Sequence, residues 1–196
     1  MISLRKGEFI MYDNYKEILK SRLNEKRYYH SLCVADEAKR LAEKYGGNTD
    51  KAYLAGLLHD ITKNSSKEEH LLYFNDFGII LNDIEKNAEK LWHAMTGAGY
   101  IEHILNIKDA EILDAVRYHT TAKADMSLLC KILYLADFTS IDRDYEDVDV
   151  LRKLVDESLE DALIYALQYS ICDLVNNKKA VHFDTLNAYN CAVGGK

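Results

Sequence analysis

The absence of proline is the feature that most limits what this chain can fold into. None occurs in 196 residues, where an average composition would contain about ten. Proline interrupts helices, so a chain without it can form long ones. Val34, Ala38 and Leu41 lie on one face of a segment that stops at Gly46, a residue type common just after the last helical turn. The sequence therefore predicts helices.

Further helical segments follow along the chain. Residues 52–58 are apolar on every side, which is typical of a buried central helix, and Thr49 or Asp50 is predicted to cap that helix. Another helix is predicted after Ser66. The remaining predicted segments are 84–104 with a break near Trp92, 109–119, 127–139, 147–156, 158–177 and a short one near Asp184. No stretch alternates with period two. We expect an all-α fold in one domain over 1–196, with a core at about 15–178 and a short C-terminal helical extension at 179–196.

Composition and charge restrict the classes of partner. The net charge of −7 argues against binding to duplex nucleic acid, although a small anionic nucleotide substrate remains compatible with it. The longest apolar runs are short, so no membrane association is expected. The first eleven residues lack the apolar stretch of a secretory signal, which favours the cytoplasm. The four cysteines form no CxxC pair and are expected to be reduced, small, buried residues: Cys33, Cys130, Cys172 and Cys191. The sequence is compatible with a homo-oligomer as well as with a monomer.

Imidazole and carboxylate groups recur at the ends of apolar helical segments. His59 and Asp60 end the apolar helical stretch 54–58, and Asp137 closes another apolar run. A carboxylate at a buried helix end costs several kcal/mol unless it is paired or bound to a metal. His30, His93 and His119 also lie on or beside apolar segments: each alone would be read as a hydrogen-bonded core residue, and Asp137 alone as a salt-bridge partner. Taken together, the six groups predict a metal centre. The other histidines, His70, His103 and His182, are predicted to be peripheral.

The ligand types indicate both the metal and the reaction. Imidazole and carboxylate suit iron, manganese, zinc or nickel, and no thiolate is near in the pattern. Six groups exceed what one catalytic zinc uses, but they suffice for two ions with Asp60 as the bridge. Two ions about 3.5–4 Å apart can activate water and stabilise an in-line phosphoryl displacement. This arrangement predicts hydrolysis of a phosphoester or phosphoanhydride.

Five stretches carry a resemblance to a known family. They are residues 26–31 (KRYYHS), 55–63 (AGLLHDITK), 118–121 (YHTT), 133–137 (LYLAD) and 181–190 (VHFDTLNAYN). Together they resemble the HD-domain metal-dependent phosphohydrolases, and among these the YqeK-type proteins. The resemblance implies a single compact HD-domain helical bundle. It also implies an iron-type centre of two ions, divalent or mixed-valent, which cleaves diadenosine tetraphosphate symmetrically into two ADP.

The resemblance also implies roles for individual residues. His59 and Asp60 are the catalytic pair. One ion would be held by His30, His59, Asp60 and Asp137, and the second by Asp60, His93 and His119. The expected substrate contacts are Arg27, Lys63, Thr120 and Arg143, each of which could equally be a solvated cation or a helix-end hydroxyl. Related sequences often have Glu-Pro just before the arginine, where this chain has Ile141-Asp142, and His-Gly where it has His93-Ala94.

Two other functions are compatible with the same residues. One is another HD-type activity: a nucleotidase, a cyclic-nucleotide phosphodiesterase or a hydrolase of guanosine polyphosphates, since one metal pair can serve all of them. The other is a non-catalytic helical module that senses a ligand or associates with RNA and binds a structural metal. The number of ligands argues against the module, because a closed structural site needs only four.

Overall fold

The protein is all-α, as predicted. A computed structural model describes the backbone of residues 6–195 and the side chains of residues 12–195; residues 1–5, which begin the N-terminal segment considered above, and residue 196 lie outside this range. Within it the chain forms eleven α-helices and no strand. The helices are α1 (Lys6–Arg22), α2 (Glu25–Tyr45), α3 (Thr49–Leu58), α4 (Lys67–Asp76), α5 (Asp83–Lys86), α6 (Trp92–His103), α7 (Ala110–Tyr118), α8 (Leu128–Thr139), α9 (Val148–Glu157), α10 (Leu159–Asn176) and α11 (Phe183–Gly194).

Polar caps set the beginnings of many helices. The side chains of Asn24, Ser66 and Ser127 each accept a hydrogen bond from a backbone N–H in the first turn of the helix that follows. Helix α3 is capped by Asn48, whose side chain accepts from two backbone N–H groups. The prediction of Thr49 or Asp50 as its cap was therefore wrong, because Asn48 already satisfies the N–H groups at that end. Gly46 has a φ of +73° and ends α2, as predicted.

The central helix is α3, as its sequence predicts. Its residues from Leu54 to Leu58 are buried, and α1, α2, α7 and α8 pack around it. Helix α2 approaches it most closely at Gly56, where an added Cβ would lie 2.7 Å from the Cα of Ala35. Two helices can come this near only if one of them has no side chain at the crossing. This contact brings the second turn of α2 beside the end of α3.

The segment around Trp92 breaks where predicted. It divides into α5, a 3₁₀ turn at Glu89–Leu91 and α6, which starts at Trp92. The C-terminal helix α11 has 12 residues and packs on α10. Its Thr185 hydroxyl donates to the carbonyl of Thr121 at 2.7 Å, so α11 supports the segment after α7. None of the helices described is long and apolar enough to span a bilayer.

The cysteines are only partly where they were expected. All four are free, and Cys33 and Cys130 are buried. Cys172 and Cys191 are exposed, so their predicted burial was wrong. They belong to α10 and α11, and the residue type alone does not show which side of a helix another element covers.

An ion pair joins α1 to α4 and predicts a pH-dependent contribution to stability. Burial raises the pKa of Glu69, but hydrogen bonds from Tyr73 and Arg22 outweigh it and lower this pKa to about 2. Because the folded pKa is depressed, the contribution is present above the unfolded value near 4.5 and is lost as the pH falls from there towards 2. Since 35% of the Glu69 side chain is exposed, we expect the ion pair to contribute about 1 kcal/mol to the free energy of unfolding.

Urea unfolding of wild type and Glu69→Gln between pH 7 and pH 3 measures this contribution. The difference in unfolding free energy should stay constant down to about pH 4.5 and then shrink. A difference that does not change over the whole range would show that the carboxylate charge contributes nothing.

Candidate metal centre

Six predicted ligands come from five parts of the fold and converge in its interior. His30 lies in α2, His59 and Asp60 directly follow α3, His93 opens α6, His119 follows α7 and Asp137 is near the end of α8. Their ligand atoms form three overlapping groups, and within each group all atoms lie within 4.8 Å of one another. The groups are His30 with His59 and Asp60, His59 with His119 and Asp137, and Asp60 with His93 and His119.

Hydrogen bonds on the outer side of the rings fix which nitrogen faces inward. His59 Nδ1 lies 2.7 Å from the carbonyl oxygen of Gly56, and His119 Nδ1 lies 2.7 Å from that of Val116. A carbonyl oxygen only accepts, so each Nδ1 carries the proton and donates it. In the neutral form of each ring, the Nε2 is therefore the nitrogen whose lone pair points into the cluster. This is the arrangement that metal-bound histidines adopt.

Two ligand atoms at the centre have no hydrogen-bond partner. Among the side chains described, His59 Nε2 and Asp60 Oδ1 are buried and unpaired. Other ligand atoms nevertheless lie close to them: His59 Nε2 is 3.4 Å from Asp60 Oδ2, and Asp60 Oδ1 is 3.1 Å from His93 Nε2. Atoms about 2.1 Å from one ion lie roughly 3–3.5 Å apart. Because an unsatisfied buried polar atom is costly, these residues fit a cation between them.

The charge states of the ligands are those that metal binding needs. Burial alone would raise the pKa of Asp60, but the imidazoles of His59 and His119 outweigh it and hold this pKa well below its usual range. Burial lowers the pKa of His93 to about 4 despite the neighbouring carboxylate of Asp60. His93 is therefore a neutral imidazole at neutral pH, and its Nε2 is 3.1 Å from Asp60 Oδ1 and 3.2 Å from His119 Nε2. Neutral imidazole and ionised carboxylate are the metal-binding forms.

Three cations predicted to bind substrate border the cluster. Arg27 Nη1 lies 2.7 Å from Asp60 Oδ2, and Lys63 Nζ lies 3.0 Å from His93 Nε2. Burial opposes the ionisation of the part-buried Asp137, but its pair with Arg143 outweighs this and holds its pKa well below the usual value. These residues are only part-exposed, so the reading of solvated surface cations does not apply to them.

The hydroxyl of Thr120, the fourth predicted substrate contact, is buried. Among the described residues its Oγ1 has no hydrogen-bond partner. The next residue, Thr121, accepts from α11 through its carbonyl, which fixes the backbone of this segment. The position is compatible with a hydroxyl that donates to a ligand.

One residue of the site was missed by the sequence reading. Asp142 Oδ2 lies 2.7 Å from His30 Nδ1, and the other oxygen of the same carboxylate accepts from the Ser140 hydroxyl at 2.8 Å. A carboxylate behind a histidine ligand fixes the ring and its tautomer. In the sequence Asp142 stands in an acidic stretch that looks like solvated surface, so only the departure from Glu-Pro at this place drew attention to it.

Two histidines that were expected to be peripheral are buried. His70 is 7% exposed and its Nδ1 contacts the Thr96 hydroxyl, because α4 packs on α6. His182 is 4% exposed and its Nδ1 caps the first turn of α11. Neither belongs to a ligand group, as predicted, but the expected peripheral position was wrong for both. The charged residues next to His70, such as Lys67 and Glu68, are exposed while His70 itself packs against α6. His103 is exposed, as expected.

Comparisons with known proteins identify the family. The family model described as HD domain matches residues 27–142, a range that contains all six predicted ligands. A protein from Bacillus subtilis named "Bis(5'-nucleosyl)-tetraphosphatase, symmetrical" is 36% identical over 90% of this chain and 95% of its own length. The chain belongs to the HD domain family. A Staphylococcus aureus protein of the same name is 34% identical to this HD domain chain, over 89% of it and 92% of its own length.

The fold of this HD domain is also that of a solved structure. A crystal structure from Clostridium acetobutylicum, described as a predicted HD superfamily hydrolase involved in NAD metabolism, is 36% identical and superposes with a TM-score of 0.91. The match covers 94% of this chain and 98% of that one. Family membership and the histidine–aspartate cluster together support binding of a divalent metal. The resemblance seen in the sequence is thereby confirmed.

Proposed function

We propose that this HD domain protein is a metal-dependent hydrolase that adds water to diadenosine tetraphosphate at its centre and releases two ADP. The relatives from Bacillus subtilis and Staphylococcus aureus, which match nearly their whole length, support this substrate. The proposed metal-dependent hydrolysis rests mainly on one observation: His59 Nε2 is unpaired beside the ionised Asp60 in a buried cluster of imidazoles. Such a cluster has ligands for two cations and is close to three basic side chains.

We assign the ligands to two ions. His30, His59, Asp60 and Asp137 would hold one, and Asp60, His93 and His119 would hold the other. This nitrogen and oxygen set favours iron, with manganese, nickel or zinc as substitutes. When bound, the ions would neutralise phosphate charge and supply an acidified water. In the catalytic pair, His59 would bind the first ion and the Asp60 carboxylate would contribute to both.

The basic residues around the ligands would orient the polyphosphate. Arg143 and Arg27 lie on the side of Asp137 and Asp60, and Lys63 lies on the side of His93. Each could donate to phosphate oxygens and offset the charge that accumulates there, while the Thr120 hydroxyl donates a further hydrogen bond. ADP is a good leaving group, so neutralisation of charge is needed more than a strong acid.

Substrate screening and metal analysis test the proposal. Protein purified without chelator should contain close to two transition-metal ions per chain, and it should cleave diadenosine tetraphosphate faster than deoxynucleotides, cyclic nucleotides or guanosine tetraphosphate. A chelator should remove the metal, the activity and part of the thermal stability together, because ligands that bind only the folded state stabilise it. Faster cleavage of guanosine tetraphosphate or a cyclic nucleotide would replace the proposed substrate with that HD-type activity.

The non-catalytic module is tested with His59→Ala. This variant should stay folded by circular dichroism and lose hydrolysis of all these nucleotides. If wild type binds metal but hydrolyses none of them, the module is the better description.

Asp142 is expected to control the affinity of the first ion. Replacement by asparagine removes the charge behind His30 while it keeps the shape of the side chain. We expect metal affinity at one of the two positions to fall about 10–100-fold. Competition with a chromophoric chelator measures this affinity directly, and Asp144→Asn in the same loop is the matched control. Equal affinity in both variants would show that Asp142 has no role in holding the ring.

We also propose the cytoplasm as the compartment. The four thiols are all free, which is expected of a chain kept in a reducing environment.

A further inference from the structure

A cavity of about 460 Å³ opens beside His93, one of the ligands proposed for the second ion. Its wall includes the ring of His93, and its lining also contains Lys63, Lys67 and Lys90. Lys63 Nζ reaches from this wall to His93 Nε2 at 3.0 Å and to Asp60 Oδ1 at 3.8 Å. The cavity, called here the lysine pocket, is therefore a direct extension of the metal centre.

The lysine pocket is positive in a protein that is negative overall. It is lined by three lysines and a single carboxylate, that of Glu89, whereas the whole chain has a net charge of −7. Lys67 pairs with Glu89, but both side chains are more than half exposed, so this pair is weak and open to exchange. Burial lowers the pKa of Lys63, while Asp60 and Asp137 favour its charged form. An anion in this cavity would therefore meet three cations and one carboxylate.

Two helices also begin at the lysine pocket. Lys67 is the first residue of α4, and Trp92 is the first residue of α6. The protein itself satisfies part of both ends: the Trp92 N–H donates to the Glu89 carbonyl, and the Ser66 hydroxyl accepts from the Glu69 N–H. The partial positive charge of the two helix ends therefore adds only a minor part to the attraction that the lysines exert on an anion.

The aromatic lining does not offer a surface for a base. Trp92 is 3% exposed, and its indole N–H donates to the Glu85 carbonyl at 2.7 Å. His70 is 7% exposed and bonded to Thr96. Stacking on a nucleobase requires an accessible ring face. The accessible groups of the pocket are therefore ammonium groups, which recognise phosphate.

The position of the pocket matches one half of a symmetrical substrate. Arg143 contacts Asp137 and lies 3.3 Å from His30 Nε2, on the side of the first ion, whereas the lysine pocket lies beyond His93, on the side of the second. We propose that the lysine pocket binds the phosphates of one nucleoside diphosphate half of the substrate through Lys63, Lys67 and Lys90, without regard to its base. This proposal rests on the proposed function, which supplies a substrate with two such halves.

Charge reversal at Lys90, with Lys67→Glu as a second variant, tests the pocket. In the metal-loaded enzyme we expect Lys90→Glu to raise the KM for diadenosine tetraphosphate about tenfold and to change kcat by less than about twofold, because the residue contacts phosphate and not the reacting atoms. Lys153→Glu, on the exposed face of α9, is the matched control and should leave both constants unchanged. A fall in kcat at unchanged KM would overturn the proposal.

Calorimetry with inorganic triphosphate, ADP and GDP separates this proposal from the proposed function. Lys90→Glu should lower the affinity for all three ligands about equally, by roughly tenfold. The loss of affinity should become smaller as the salt concentration is raised. If only the affinity for ADP and GDP falls, the pocket recognises a base and the proposal is wrong. Unchanged affinity for all three ligands also refutes it. If wild type fails to cleave diadenosine tetraphosphate while triphosphate binding still depends on Lys90, the proposed function fails and the phosphate pocket stands.

Discussion

Asp60→Asn is expected to leave both ion positions without metal and to lower kcat/KM by about a thousand-fold or more. Asp60 is the one carboxylate that belongs to two of the three ligand groups, and both of its oxygens lie near imidazole nitrogens. Loss of its charge would weaken both positions at once. Elemental analysis of protein purified without chelator, together with hydrolysis rates, measures the two effects.

The controls for this prediction separate metal loss from unfolding. Removal of a buried charge leaves Arg27 and Lys63 without their partner, so some loss of stability is expected and must be measured by circular dichroism. Asp13→Asn, at an exposed position of α1, should behave as wild type. A folded Asp60→Asn protein with its full metal content would refute the bridging role.

Gly56→Ala is expected to have the largest effect on stability. The added methyl group would lie 2.7 Å from the Cα of Ala35 and 2.9 Å from the carbonyl oxygen of Val34. Both are backbone atoms of α2, which cannot rotate away, so α2 and α3 must separate. We expect a loss of about 2–3 kcal/mol, which lowers Tm by roughly 5–10 °C in a chain of this size.

Thermal unfolding of Gly56→Ala should be compared with that of Gly194→Ala. An added Cβ at Gly194 meets no atom within 4 Å, so this second variant should unfold as wild type does. An equal Tm for the two variants would mean that the helices adjust at no cost. The same separation would move His30 away from His59, so lower metal occupancy is expected to accompany the lower Tm.

The fold was predictable from local patterns, because the features that define helices are local. The apolar residues of 49–58 and the glycine after α2 require no knowledge of distant contacts, and both lie where the sequence indicated. Ser66 was likewise recognised as a cap. Asn48 was overlooked because Thr49 and Asp50 are equally good caps by type, and only the backbone path decides among adjacent candidates.

The site was predictable only in part, because its remaining features depend on which elements meet. The six ligands stood out since polar groups at the ends of apolar helices are unusual, and their assignment to ions remains a prediction. Asp142 lies 112 positions from His30 in the sequence, so no local pattern could pair them. His70 was misjudged for the same reason: its burial depends on α6, not on its own helix.

The hydrogen bonds on the outer side of the imidazole rings determine which histidine ligand can have its basicity changed by a substitution nearby. His59 and His119 each donate to the main-chain oxygen three positions earlier, at the close of α3 and α7. No exchange of a neighbouring side chain can delete such an acceptor, so the basicity of these two rings is built into the helix ends. His30 instead relies on a replaceable carboxylate, Asp142. Under the proposed assignment of ligands, variation at that one loop position would therefore change metal preference at the position that includes His30 more than at the position that includes His93 and His119.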